Sequence, residues 1–357
     1  AAIGLSGLFS SAAAEKPDGL CASPEPGWPQ WRGPTRDGVW RETGVVDSFA
    51  TGQLPYRWQH PLGPGYCGPT IAAGRVYVMD RITEPRQQER VICLDAANGE
   101  TLWSFVYDCV YEISYTAGPR ASVTIDDGRA YALGAMGHLH CFDAAEGTLI
   151  WKSDLAERFQ ARVPVWGIAA APLIAGDLIV LHIGGRGACV VALNKASGRE
   201  AWRALDDRPS YSAPILIQQA GRPVVVCWNG DSVAGLAPET GDVYWRLPFP
   251  PRKMPIGVAT PIVSADRLFV SSFYDGSLLL RLDPERTAVR KVWQRRGKSE
   301  RSTDALHCMI NTPLMLGDYI YGVDSYGQLR CLDANTGDRI WEDLTATPPA
   351  RWSNIPF

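Results

Sequence analysis

No stretch of this 357-residue sequence is apolar for long enough to cross a bilayer as a helix. The opening small-residue run, 1–14, is well short of the roughly 20 residues that a spanning helix needs. Nine cysteines occur without a single Cys-x-x-Cys, which removes the usual zinc-ribbon and thiol-redox motifs and leaves the redox compartment open. Neither basic nor acidic residues dominate: 35 Lys and Arg face 38 Asp and Glu, a net charge of -3, so nothing electrostatic points to nucleic acid. No Gly-x-Ser-x-Gly elbow and no phosphate-cradling glycine loop is present. Only five histidines occur, at 60, 138, 140, 182 and 307. His138 and His140 alternate on one strand face, but the sequence offers no evident third ligand, so a structural role is expected and no metal site.

What the chain does have is turns and indoles: 35 glycines, 27 prolines and 13 tryptophans. One phrase organises them. Cys331-Leu-Asp-Ala-Asn-Thr-Gly-Asp-Arg-Ile-Trp341 reads as a β-hairpin in which Asp333 accepts turn N–H groups, Gly337 takes a positive φ, and Trp341 brings the largest apolar surface available. It recurs from Asp95 to Trp103, Asp143 to Trp151 and Asn194 to Trp202, then with Ala237 in place of the acid before Trp245. A degenerate copy from Asp283 to Trp293 is two residues longer and has no glycine. Trp58 stands 45 residues before the first of these six tryptophans.

A second mark keeps step. Pro69, Pro119, Pro172, Pro214, Pro261 and Pro313 each precede a short apolar run. Two marks sharing a period of about 40 to 50 residues imply repeated units that share a core. Six units are expected, at 66–108, 111–155, 166–207, 211–249, 256–297 and 306–344, each of four antiparallel strands. Their strands are nearly continuously apolar, as when every sheet is covered on both faces. Radial packing of such sheets is an all-β β-propeller. The strand around Trp58 and the tail 352–357 are expected to belong to a split, incomplete seventh blade closed by the amino-terminal strand, with roughly 30 to 60 further residues beyond Phe357 or a partner completing it. Residues 1–27 read as a signal-peptide remnant and flexible leader, and 28–357 as the propeller domain. Cys93, Cys141 and Cys331 share one slot of the repeat and read as small buried apolar residues.

The repeat Ala/Leu-x-Asp-Ala-x-Thr/Asn-Gly-x-x-x-Trp resembles the PQQ-type repeat of the quinoprotein alcohol-dehydrogenase-like superfamily, a repeat found also in the outer-membrane assembly propeller. The segment Trp28-Pro-Gln-Trp-Arg-Gly-Pro-Thr-Arg-Asp-Gly-Val39 resembles the start of exported bacterial PQQ-binding-like β-propeller repeat proteins. The resemblance implies an exported, periplasmic and monomeric scaffold, non-catalytic, binding a protein, peptide or glycan. The alternative it implies is a PQQ-dependent oxidoreductase of alcohols or sugars. Such enzymes hold pyrroloquinoline quinone and a calcium or lanthanide ion against a vicinal disulfide, with an Asp as base, in eight blades. No two cysteines are adjacent here and no matching carboxylate set is evident, so no cofactor is expected.

In a propeller, the connections from each Trp strand to the next Pro-marked strand gather on one face, where long loops on a rigid scaffold tend to bind. Tyr66, Tyr115, Arg120, Trp166, Tyr211, His307 and Asn311 are therefore the candidate ligand or partner residues at the channel mouth. The same residues also suit a plain structural role, with aromatics plugging the axis and Arg120 bonded to loop carbonyls.

Overall fold

The computed structural model describes residues 27–44, 48 and 56–355. Of the leader assigned to residues 1–27, residues 1–26 lie outside them, as does the end of the tail. Six four-stranded antiparallel sheets follow one another along the chain, each a meander of consecutive strands. Blade 1 spans 70–108, blade 2 124–154, blade 3 173–204, blade 4 215–248, blade 5 262–295 and blade 6 314–343. The one helix among the described residues is a single turn, Leu155–Arg158, capped by Asp154. None is long and apolar enough to cross a membrane.

The repeat does locally what its residues dictate. Asp95, Asp143, Asn194, Asp283 and Asp333 each accept, through Oδ1, the N–H groups two and three residues on. In all six blades the last hairpin shifts register one step after the tryptophan pair. The residue across from the indole is Cys93, Cys141, Ala192, Gly235, Leu279 or Cys331, buried in every case where its exposure is given. Small size matters there: a Cβ on Gly235 would lie 2.3 Å from the Trp245 ring. The eight described cysteines are all free thiols.

Four of the six indoles then reach the next sheet directly. Trp103 donates to the Ala144 carbonyl (3.0 Å), Trp151 to Lys195 (3.1 Å), Trp202 to Pro238 (2.7 Å) and Trp293 to Ala334 (2.9 Å). Every acceptor is the residue after the turn acid, or its replacement, in the following blade. The turn glycine leaves room for the ring. Gly147, at φ +74°, would place a Cβ 2.5 Å from Trp103. Where blade 5 lacks that glycine, Trp245 instead donates to Gln219 Oε1 (3.0 Å), and the Gln219 amide donates on to the Ala288 carbonyl (2.6 Å). The apolar core lies between sheets in the same way, as where Tyr77 and Met79 of blade 1 cluster with Ala132 and Phe142 of blade 2.

Three expectations need correction, and the split seventh blade has no counterpart among the described residues. The outermost strands are not continuously apolar; Thr101–Asp108 alternates between exposed and half-buried residues because its far edge faces solvent. Pro119 does not open a strand, since blade 2 begins at Thr124; the other five prolines stand directly before theirs. No seventh sheet forms among the described residues. Trp58 keeps the repeat position, donating to the Ala96 carbonyl (3.0 Å) over Gly99, yet it lies in no strand because no neighbouring backbone pairs with it. Trp352 likewise begins no strand: its φ is +73°, its N–H bonds to the Ser325 carbonyl and its ring turns toward Tyr115. Trp341, with no following turn against it, is 43% exposed.

Trp202→Phe keeps an aromatic ring but strips the donor from the buried Pro238 carbonyl, and should lower stability by roughly 1–3 kcal/mol. Trp341→Phe should change it by less than about 0.5 kcal/mol. Urea midpoints followed by far-ultraviolet circular dichroism on the two variants separate these outcomes.

Candidate functional site

The first strand of each blade lines the axis, and the segment 27–37 enters it from one end. Trp28 pairs with Ile71 of blade 1 through both backbone bonds, and the Pro29 carbonyl accepts from Ile125 of blade 2. The Trp31 indole donates to Thr260 Oγ1 before blade 5 (2.8 Å). Arg36, only 4% exposed, donates to the Ala171, Pro172 and Pro214 carbonyls leading into blades 3 and 4. Burial lowers its pKa to about 9, so it is still a cation at neutral pH. This segment occupies the axis.

Above Trp31 the axis opens into a cavity of about 340 Å³ on the loop face. Trp352, Tyr115, Trp166 and Tyr211 follow one another around it, with ring centroids 6.3, 6.2 and 5.1 Å apart in edge and tilted contacts. Space is left by small residues ahead of the register prolines, Ala169, Ala171 and Ala213. Arg120 is fastened to the Gly118, Ser114 and Tyr115 carbonyls and lies 5.2 Å from the Tyr66 ring.

Of the residues singled out in the sequence, Tyr66, Tyr115, Arg120, Trp166 and Tyr211 meet in this wall. His307 and Asn311 do not. His307 is fully buried, accepting from the Gly297 N–H at Nε2 (3.1 Å) and donating from Nδ1 to the Phe273 carbonyl (3.0 Å), so its ring ties loops together behind the wall. Asn311 is buried, and Met309 and Ile310 line the cavity in its stead. Sequence reading missed Trp31, Trp352 and the alanines; the repeated Ala-Pro at 171–172 and 213–214 was the available signal.

The cavity walls carry no carboxylate, and the guanidinium among them is committed to three carbonyls. A quinone bearing several carboxylates together with a divalent metal finds no fitting donor set there. A second polar cluster lies nearby, between blades 1 and 2. Cys109 Sγ is 3.7 Å from His138 Nδ1, and His138 Nε2 is 3.6 Å from Asp154. The order resembles a nucleophile, base and orienting acid, but burial and the adjacent Glu89 carboxylate raise the thiol pKa, the reverse of what an activated cysteine needs.

Comparison with known proteins places these features. The family described as outer membrane protein assembly factor BamB matches residues 87–343. The chain belongs to this family. The BamB of Shewanella oneidensis is 25% identical over 227 residues, covering 62% of this chain and 56% of that protein. The chain thus spans little more than half the length of this relative. The quinoprotein ethanol dehydrogenase of Pseudomonas putida is 29% identical over 148 residues, 37% of this chain and 23% of the enzyme. Among solved structures, BamB from Moraxella catarrhalis superposes with a TM-score of 0.53 at 19% identity, covering 78% of this chain and 72% of that one, a likeness of fold.

His182 holds the turn that presents Tyr211, donating from Nδ1 to the Ser212 carbonyl and accepting from the Ser210 N–H at Nε2 (both 3.4 Å). Burial lowers the pKa of His182, and of His140, to about 4. Both rings are neutral when folded and take up a proton near 6.5 when unfolded. Their contribution is complete above about pH 6.5 and is lost as pH falls toward 4, up to about 3 kcal/mol each. Unfolding free energies measured across that range should fall steeply, and His182→Gln should give a shallower slope.

Proposed function

We propose that this chain is a non-catalytic, exported scaffold of outer-membrane protein assembly, working in the periplasm, and that its loop face holds a protein partner through the aromatic funnel. Family membership supports the assembly role. The observation that carries the mode of action is the funnel itself: a preformed, largely apolar cavity ringed by Tyr66, Tyr115, Trp166, Tyr211 and Trp352, with no acid or base positioned to act on a substrate. Rigid aromatic rings bury much area at little conformational cost, which suits an apolar side chain or loop of another polypeptide. Tyr66, Tyr115 and Ile310 are about half exposed at the rim, where an approaching chain meets them first. A PQQ-dependent dehydrogenase gains no support from these walls.

A photo-crosslinking residue placed at Tyr66 or Ile310 should capture another envelope protein in cells, whereas one at Val243, exposed on an outer strand, should not. Adding Tyr115→Ala should reduce the yield several-fold. Crosslinks confined to Val243, or dye-linked alcohol oxidation on adding PQQ and calcium, would overturn the reading.

A further inference from the structure

Glu89, Cys109 and His138 come from three different strands or loops and converge on the loop-face side of the boundary between blades 1 and 2. Glu89 lies near the start of the strand Gln88–Asp95, Cys109 just past the strand Thr101–Asp108, and His138 opens the strand His138–Asp143. One ligand atom from each falls within 4.8 Å of the other two. Cys109 Sγ and His138 Nδ1 are 3.7 Å apart. Sulfur and nitrogen ligands bound tetrahedrally at about 2.3 and 2.1 Å stand roughly 3.6 Å from each other.

The surroundings are those of a cation site. Glu89 is completely buried and no Lys or Arg pairs with it among the described residues. It accepts from Tyr107 Oη, Tyr111 Oη and the Ala135 N–H, and the Cys109 thiol faces its remaining side. A carboxylate and a thiolate around a divalent ion sum to zero charge, the state that burial favours. On the far side of the ring, His138 Nε2 faces Asp154 at 3.6 Å, the carboxylate–imidazole arrangement that orients metal-bound histidines. Asp154 is itself fixed, since its other oxygen caps the helix at the Glu157 N–H (3.0 Å). The imidazole and Asp154 carboxylate are 30% and 37% exposed, which gives an ion a way in.

The geometry points to a divalent transition-metal site of the zinc class, with Glu89, Cys109 and His138 as ligands, Asp154 as the positioning residue and one coordination position left for water or a partner's side chain. Binding converts the Cys109 thiol to a thiolate, its proton passing to solvent, so apparent affinity falls as pH is lowered. The site also touches the funnel. Tyr111, a donor to Glu89, lies 5.7 Å below the Arg120 guanidinium that borders Tyr66. An ion here would stiffen the connection carrying Tyr115 and Arg120.

Cobalt(II) added to the chelator-treated full chain tests this. We expect saturation at one equivalent, with a thiolate-to-cobalt charge-transfer band and the intense visible bands of a four-coordinate centre, displaced by zinc. Cys109→Ser should abolish the charge-transfer band. Asp154→Asn, which still caps the helix, should weaken binding about 10- to 100-fold with an unchanged circular dichroism spectrum. Cys67→Ser should leave both unaltered. Absence of the charge-transfer band in the unmodified chain, or a band that survives in Cys109→Ser, overturns the site. Should Cys109→Ser fail to fold, undiminished affinity in Asp154→Asn together with His138→Gln does so.

Discussion

An indole N–H reaching a carbonyl on the adjoining sheet is the contact on which the ring depends. A single hairpin has too little apolar surface to stand alone, so each blade is completed by its neighbour. The hydrogen bond adds direction to that burial. Because the acceptor follows the turn acid, or its replacement, wherever the turn glycine is kept, one interaction fixes the height, tilt and spacing of adjacent sheets at once. The buried residue across from the indole, small in five of the six blades, the bulge beside it and the left-handed glycine under it all serve this contact. Blade 5 shows how strongly it is required: with the turn altered, Gln219 carries the link from Trp245 to the Ala288 carbonyl.

The same spacing sets up the axis. Six innermost strands held at a fixed distance leave a channel too wide for their own side chains to fill. Trp31 and Arg36 fill one end of it, satisfying carbonyls at the entrances to blades 3 and 4 and the Thr260 hydroxyl before blade 5. The other end stays open as an aromatic funnel, its breadth owed to alanines in the positions where larger residues would meet.

Most of the fold was legible because it is encoded locally. The turn acid, glycine and tryptophan lie within about ten residues of one another, and their repetition alone counted the blades. Five wall residues of the funnel were legible for a related reason: Tyr66, Tyr115, Trp166 and Tyr211 precede a marked proline and Arg120 directly follows one, so their place on the axis follows from the period. His307 and Asn311 share that position in sequence, yet the side-chain direction within the loop was decided by partners far away, the Gly297 N–H and the Phe273 carbonyl. The seventh-blade expectation extended the period to segments for which no pairing strand lies among the described residues. Trp31 bonds a residue 229 positions on, and the Glu89, Cys109 and His138 cluster joins two strands and a loop with no common motif. Such meetings leave no mark at any one place in the sequence.

The axial segment has a temporal consequence. During synthesis residues 27–37 emerge well before the groups that Arg36 and Trp31 require, which appear only as the chain reaches the entrances to blades 3, 4 and 5. Trp31 must therefore wait, unsatisfied, for more than two hundred residues. Contacts of such separation slow folding because a long loop has to close before they repay its entropy. The segment is thus a late-arriving latch: neighbouring blades can pair in sequence as they emerge, while the final diameter of the ring is fixed only when the amino-terminal piece returns to its centre.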